Sequence, residues 1–149
     1  MLHRRELLLT EKLRVLFLCT HNSARSQMAE GWLRHRSGDR FQAFSAGTEA
    51  TAVRPLAIRA MAEIGVDVSG QKSKTLDRYL DEPWDCVITV CDQANQVCPA
   101  FPGGRSRLHW SLPDPSAATG SDEEQLQVYR AVRDEIVRLI DAFVRAPPE

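Results

Sequence analysis

Five residues separate a cysteine from an arginine in the run Cys19-Thr20-His21-Asn22-Ser23-Ala24-Arg25, and Ser26 follows. A loop of this length wraps successive backbone N–H groups around one tetrahedral anion, and a helix starting at its end adds the positive pole of its dipole. Residues Thr20 to Ser26 would then cradle the oxyanion, with the Arg25 fork on two of its oxygens. The same positive potential favours the thiolate of Cys19, the nucleophilic form. Ser26 can add a hydroxyl hydrogen bond to that sulfur, and Asn22 tolerates the left-handed backbone of a tight loop. The competing reading is a buried cysteine beside a solvated arginine. A strand before the run and a helix after it favour the anion site.

Those elements are legible in the sequence. Leu13-Arg14-Val15-Leu16-Phe17-Leu18 is short and mostly apolar, as a strand buried on both faces should be, and it ends at Cys19. From Ser26 onward, Met28, Ala29, Trp32 and Leu33 recur at helical spacing. Phe41–Ser45 reads as a second strand. Pro55 suits the first turn of a helix carrying Ile58, Met61 and Ile64, with Gly65 as its stop. Cys86–Cys91 is the next buried strand, and a short one is expected near Arg107–Trp110. Ser121 and Glu124 form a capping-box pattern ahead of a helix with Tyr129, Val132, Ile136, Leu139, Ile140 and Phe143 on one face. Strands alternating with helices imply an α/β fold, a parallel sheet covered by helices on both sides, with ligands beyond the carboxyl ends of the strands. The segments after Cys19, after Cys91 and around Asp114 all leave strands toward that edge. Residues 1–11 read as a polar extension and residues 12–145 as one domain.

With 149 residues, 43% of them hydrophobic, the chain suits a single core, and a net charge of −1 gives no overall field for nucleic acid or an anionic membrane. The early apolar run Leu7-Leu8-Leu9 is too short for a secretory h-region, and no stretch is long enough to span a bilayer. A cytoplasmic location is therefore expected, where thiol pairs are more often catalytic, redox-active or metal-binding than structural. Cys91 and Cys98 form such a pair. Their spacing and the lack of a second tight pair disfavour structural zinc, and Cys86, inside an apolar strand, reads as a core residue. Asp114 lies in Leu-Pro-Asp-Pro, where the backbone is rigid on both sides.

The runs VLFLCTHNSARSQMAEGW, FSAGTEA, ITVCDQANQVCP, HWSLPDP and YRAVRDEI span about residues 13–144. They resemble the thioredoxin-coupled arsenate reductases built on the low-molecular-weight tyrosine phosphatase fold. That resemblance implies a four-stranded parallel sheet, Cys19 as nucleophile with Arg25 and Ser26 in the anion loop, Cys91 as first and Cys98 as second resolving thiol, and Asp114 as general acid. The acid role calls for a carboxyl pKa raised toward working pH. It further implies arsenate as substrate, reduced thioredoxin as electron donor, no bound cofactor or metal, and a monomer. Related enzymes use glutaredoxin with glutathione, or mycothiol, as donor. In some of these reductases a potassium ion sits near the anion loop among oxygen ligands. Lys74 replaces one of them here, and is expected to pair with Glu30 and hold the loop without a metal. Ala24 replaces a second loop cysteine typical of the phosphatases, and His21 a glycine common there. Two rival readings remain: a phosphatase using Cys19, Arg25, Ser26 and Asp114, and a soft-metal or arsenite sensor using Cys86, Cys91 and Cys98.

Overall fold

The computed structural model of the chain describes residues 11–92 and 101–148. Four strands, β1 (Leu13–Cys19), β2 (Phe41–Gly47), β3 (Cys86–Thr89) and β4 (Ser106–His109), form one parallel sheet in the order β2-β1-β3-β4. The expected four-stranded parallel α/β sheet is present, with the described α-helices packed on one face and a 3-10 turn on the other. β1 lies inside the sheet, which is why Val15 to Leu18 are all 0% exposed and why the segment reads as unbroken apolar sequence. Its alternate side chains enter two layers. Val15, Phe17 and Cys19 join Met28, Leu33, Met61, Ile136 and Ile140 in the larger core, whereas Leu16 and Leu18 join Tyr79, Trp84 and Phe101.

The larger core is the meeting place of α1 (Arg25–Ser37), α2 (Pro55–Ala62) and α3 (Asp122–Arg145). The opposite face is covered by a 3-10 turn at Leu76–Tyr79 and by Phe44, Tyr79 and Trp84, whose rings meet edge to face at 5.2–5.8 Å between centroids. The capping box expected at Ser121 is formed: its hydroxyl accepts from Glu124 N and its N–H donates to Glu124 Oε1, both at 3.1 Å. Two boundaries differ from the sequence reading. α2 ends at Ala62 rather than running through Ile64, and the strand expected to continue to Cys91 ends at Thr89, where pairing with the four-residue β4 stops.

Helices α2 and α3 are clamped by Glu63, which lies 2.6 Å from Arg130 Nη2 and 2.9 Å from Arg133 Nη1. Arg133 Nη1 also donates to Ala60 O. The Arg130 hydrogen bond, helped by that of Arg133 and by both charges, lowers the Glu63 carboxyl from its ordinary 4.5 to about 2. A depressed acid contributes stability that is present above its unfolded pKa and lost as pH falls through its folded pKa. Between about pH 4.5 and 2, the melting temperature of Glu63→Gln is therefore expected to fall less than that of the parent chain. Thermal melts across that window check this, and parallel curves would remove the clamp from the acid response.

Candidate active site

Cys19 is the last residue of β1, 2% exposed, and pairs in register with Gly47 at the end of β2. The following loop is turned inside out by its supports. Thr20 O accepts from Glu49 N and Thr48 Oγ1, and His21 O from Ser73 Oγ and Thr51 Oγ1. Asn22 O accepts from Gln27 Nε2, Ser23 O from Arg54 N and Ala24 O from Met28 N. In a trans peptide the next residue's N–H points opposite to each carbonyl. With the carbonyls of Thr20 to Ala24 satisfied outside, the N–H groups of His21 to Arg25 turn inward. Asn22 N accordingly donates to Cys19 Sγ at 3.2 Å. Such a ring of N–H groups is an anion nest, and α1 begins at its end with no side-chain cap and no acidic residue in its first turn.

Asn22 holds the turn at φ +50, the one positive φ of a non-glycine residue among those described. Its amide orientation is fixed by partners on both ends. Oδ1 accepts from Lys74 N and Gln27 Nε2, each at 2.8 Å, while Nδ2 donates to Ser26 Oγ at 2.8 Å. Ser26 Oγ lies 2.8 Å from Cys19 Sγ. Asn22 fills one acceptor position of that oxygen, and the serine hydrogen is available to donate to a Cys19 thiolate.

Arg25 is 3% exposed; Nη1 donates to Leu112 O at 3.1 Å and Nη2 lies 3.9 Å from Asp114 Oδ2. Asp114 caps the 3-10 turn Pro115–Ala117, accepting on Oδ1 from Ser116 N at 3.0 Å and Ser116 Oγ at 2.6 Å. Without a bound anion the Asp114 carboxyl is held low. Burial does push the Asp114 carboxyl up, but the two Ser116 hydrogen bonds and the charges of Arg25 and His21 outweigh it and hold the group below the ordinary carboxylate value. Thr20 Oγ1, beside the nucleophile, is the one buried side-chain nitrogen or oxygen without a protein partner among the described residues.

Sequence reasoning missed the supports behind the loop. Gln27 Nε2 reaches Lys72 O, and Gln71 Nε2 reaches both Gln27 O and Gln27 Oε1, a lattice joining segments 44 residues apart. At Gly47 a Cβ would sit 2.7 Å from Thr20 O and 2.8 Å from Cys19 O. Glycine there lets two backbones touch; the one available signal was its place just after a strand.

The pairing expected of Lys74 is present. Its Nζ lies 3.6 Å from Glu30 Oε1, which also accepts from Ser45 Oγ at 2.7 Å, while Arg34 Nη2 binds Glu30 Oε2 at 2.9 Å. Burial lowers the Lys74 pKa and Glu30 opposes the shift. The residues do not fit a bound potassium ion, because an ammonium and a guanidinium already neutralise Glu30. Activity and melting temperature are therefore expected to be unchanged when potassium is replaced by tetramethylammonium at constant ionic strength. Stabilisation by potassium over sodium would contradict this.

Cys91 leaves the sheet on the Cys19 edge, since Val90 N donates to Leu18 O and carries the β1–β3 register past Thr89. It is fully buried and disulfide-bonded. Cys98 lies outside the described residues. Cys86 opens β3 opposite Val15, with burial pushing its thiol up to about 12. Four residues of extended chain lie between it and Cys91, a separation on the order of 15 Å. This rules out the shared Cys86–Cys91 metal site that a sensor would need.

The family model described as low molecular weight phosphotyrosine protein phosphatase matches residues 14–146. An arsenate reductase of Halalkalibacterium halodurans is 50% identical over 129 residues, covering 87% of this chain and 93% of that protein. A solved arsenate reductase in the phosphate-binding state superposes with a TM-score of 0.75 at 32% identity, covering 89% of this chain and 97% of that one. A thioredoxin-dependent arsenate reductase of Corynebacterium glutamicum superposes at 0.60 with 30% identity, covering 89% of this chain and 64% of that one.

Proposed function

This chain belongs to the low molecular weight phosphotyrosine protein phosphatase family as one of its arsenate reductases, and we propose that it works by a thiol relay from Cys19 through Cys91 to Cys98. The observation that carries the proposal is the Cys19 sulfur, held by Ser26 Oγ and Asn22 N inside a ring of inward N–H groups with Arg25 buried beside it. That is a site for a thiolate attacking a tetrahedral oxyanion.

In the first step the Cys19 thiolate forms a sulfur–arsenic bond to hydrogen arsenate, and one arsenic–oxygen bond breaks as that oxygen takes a proton and leaves as water. Cys91 then attacks the Cys19 sulfur. The sulfur–arsenic electron pair goes to arsenic, which passes from the pentavalent to the trivalent state and is released as arsenite after protonation, leaving a Cys19–Cys91 disulfide. Cys98 exchanges onto Cys91, restoring Cys19 and carrying the oxidation outward as Cys91–Cys98.

Asp114 is the proposed proton donor to the leaving oxygen. Held ionised by Ser116, Arg25 and His21, it must gain its proton as the dianion and thiolate come together, both of which raise the pKa of a neighbouring acid. Asp114→Asn is expected to lower the arsenate turnover number by about 10²-fold or more while changing KM little. A rate unchanged at neutral pH would reduce Asp114 to a turn residue.

Reduced thioredoxin is the proposed donor, supported by the likeness to the thioredoxin-dependent enzyme. We further propose a monomer acting in the cytoplasm without nucleic acid or membrane. No helix among the described residues is long and apolar enough to cross a membrane. The test is arsenite formation with thioredoxin and its reductase as sole electron source. Formation with glutaredoxin and glutathione, or with mycothiol, but not with thioredoxin would reassign the donor, and formation with none of them would reject the function.

A further inference from the structure

We propose that His21 sets the oxyanion affinity of the anion loop, its imidazole cancelling the charge of Glu49 at the mouth when protonated and leaving that carboxylate to repel a dianion when neutral. The proposal deepens the reading above and rests on it only in taking the loop as an oxyanion site. His21 Nδ1 lies 3.2 Å from Glu49 Oε2, and the two side chains are 39% and 66% exposed, in contrast to buried Cys19, Asn22 and Arg25.

Both partners are fixed by backbone bonds. Glu49 N donates to Thr20 O, and His21 O accepts from Ser73 Oγ and Thr51 Oγ1. The backbone that carries the imidazole is therefore held in place, and Glu49 is the side-chain partner of Nδ1. Its charge also reaches Asp114, on which it acts in the same direction as Arg25.

Two carboxylates, Glu49 from the segment after β2 and Asp114 from the segment after β4, therefore flank an opening meant for an anion. The other charged or titratable groups nearby are Cys19 and Arg25 in the loop itself, Arg54, whose N–H binds Ser23 O, and Lys72 and Lys74, which flank Ser73. Histidine is the side-chain type that changes charge between roughly pH 5 and 8. A unit charge lost within a Debye length of the bound dianion weakens binding by about five-fold at the dielectric of a protein surface.

The test uses sulfate, a tetrahedral dianion at every pH in this range, so that only the protein's charge varies. Sulfate is titrated into the reduced full-length chain while the backbone amide resonances of residues 20–26 are followed by NMR. The dissociation constant is expected to rise about five-fold between about pH 5.5 and 8.5. In His21→Gln the slope should shrink to whatever proton uptake at Asp114 contributes, and in Glu49→Gln binding at the high-pH end should tighten. Three results overturn the proposal: a parental slope surviving in His21→Gln, no tightening in Glu49→Gln, or no response of these amides at the acid end. Intact sulfate behaviour in a protein that does not reduce arsenate would instead reject the functional reading and leave this one standing.

Discussion

Cys19→Ser is expected to abolish arsenate reduction, by about 10⁴-fold or more, while the chain stays folded and its loop still binds oxyanions. The substitution replaces a sulfur by a smaller oxygen at the end of β1, in contact with Ser26 Oγ and Asn22 N, both of which can hydrogen-bond a hydroxyl. The inward N–H groups are set by carbonyl partners on other segments and by α1, none of which involves the cysteine side chain. What is lost is the nucleophile: a serine hydroxyl, unlike a thiol, is not ionised near neutral pH, and an oxygen–arsenic adduct offers no sulfur for a thiol to attack. Arsenite assays with thermal melts and an oxyanion titration on the same sample check this. Substantial turnover in a folded variant would remove Cys19 from the chemistry.

Nearly as large an effect is expected at the resolving thiols, with different signatures. Cys91→Ser should release no arsenite even in a single turnover, because arsenic receives its one electron pair only when a thiolate attacks the Cys19 sulfur. Cys98→Ser should release one equivalent of arsenite and then stop, trapped as a Cys19–Cys91 disulfide. The placement supports this order: the β1–β3 register brings Cys91 out of the sheet beside the end of β1. Repeated thioredoxin-driven turnover by Cys91→Ser would overturn it.

Much of this site was legible from residue type and spacing because it is local. Strand, loop and helix around Cys19 lie within one continuous segment, the Ser121–Glu124 cap within four residues, and both follow from backbone rules. The Lys74–Glu30 pair was expected from a departure in family pattern and is formed. The Gln27–Gln71–Lys72 lattice was not legible, since glutamines in contact across 44 residues leave no periodic trace. Nor was the end of β3, which is set by how far β4 extends alongside it rather than by its own apolar run. The resting state of Asp114 was not legible for a different reason. Asp-Pro-Ser is a local pattern in which the serine N–H and hydroxyl turn back onto the carboxylate, and with the charges of Arg25 and His21 that short-range stabilisation outweighs the effect of burial.

The relay is tested most directly by mapping disulfides and counting thiols by mass spectrometry after the fully reduced protein has turned over arsenate once without any reductant. The account predicts one arsenite per chain, two thiols oxidised, a Cys91–Cys98 disulfide, and Cys19 and Cys86 recovered as thiols. Arsenite formed with all four cysteines still reduced, or with Cys86 in the disulfide, would contradict it.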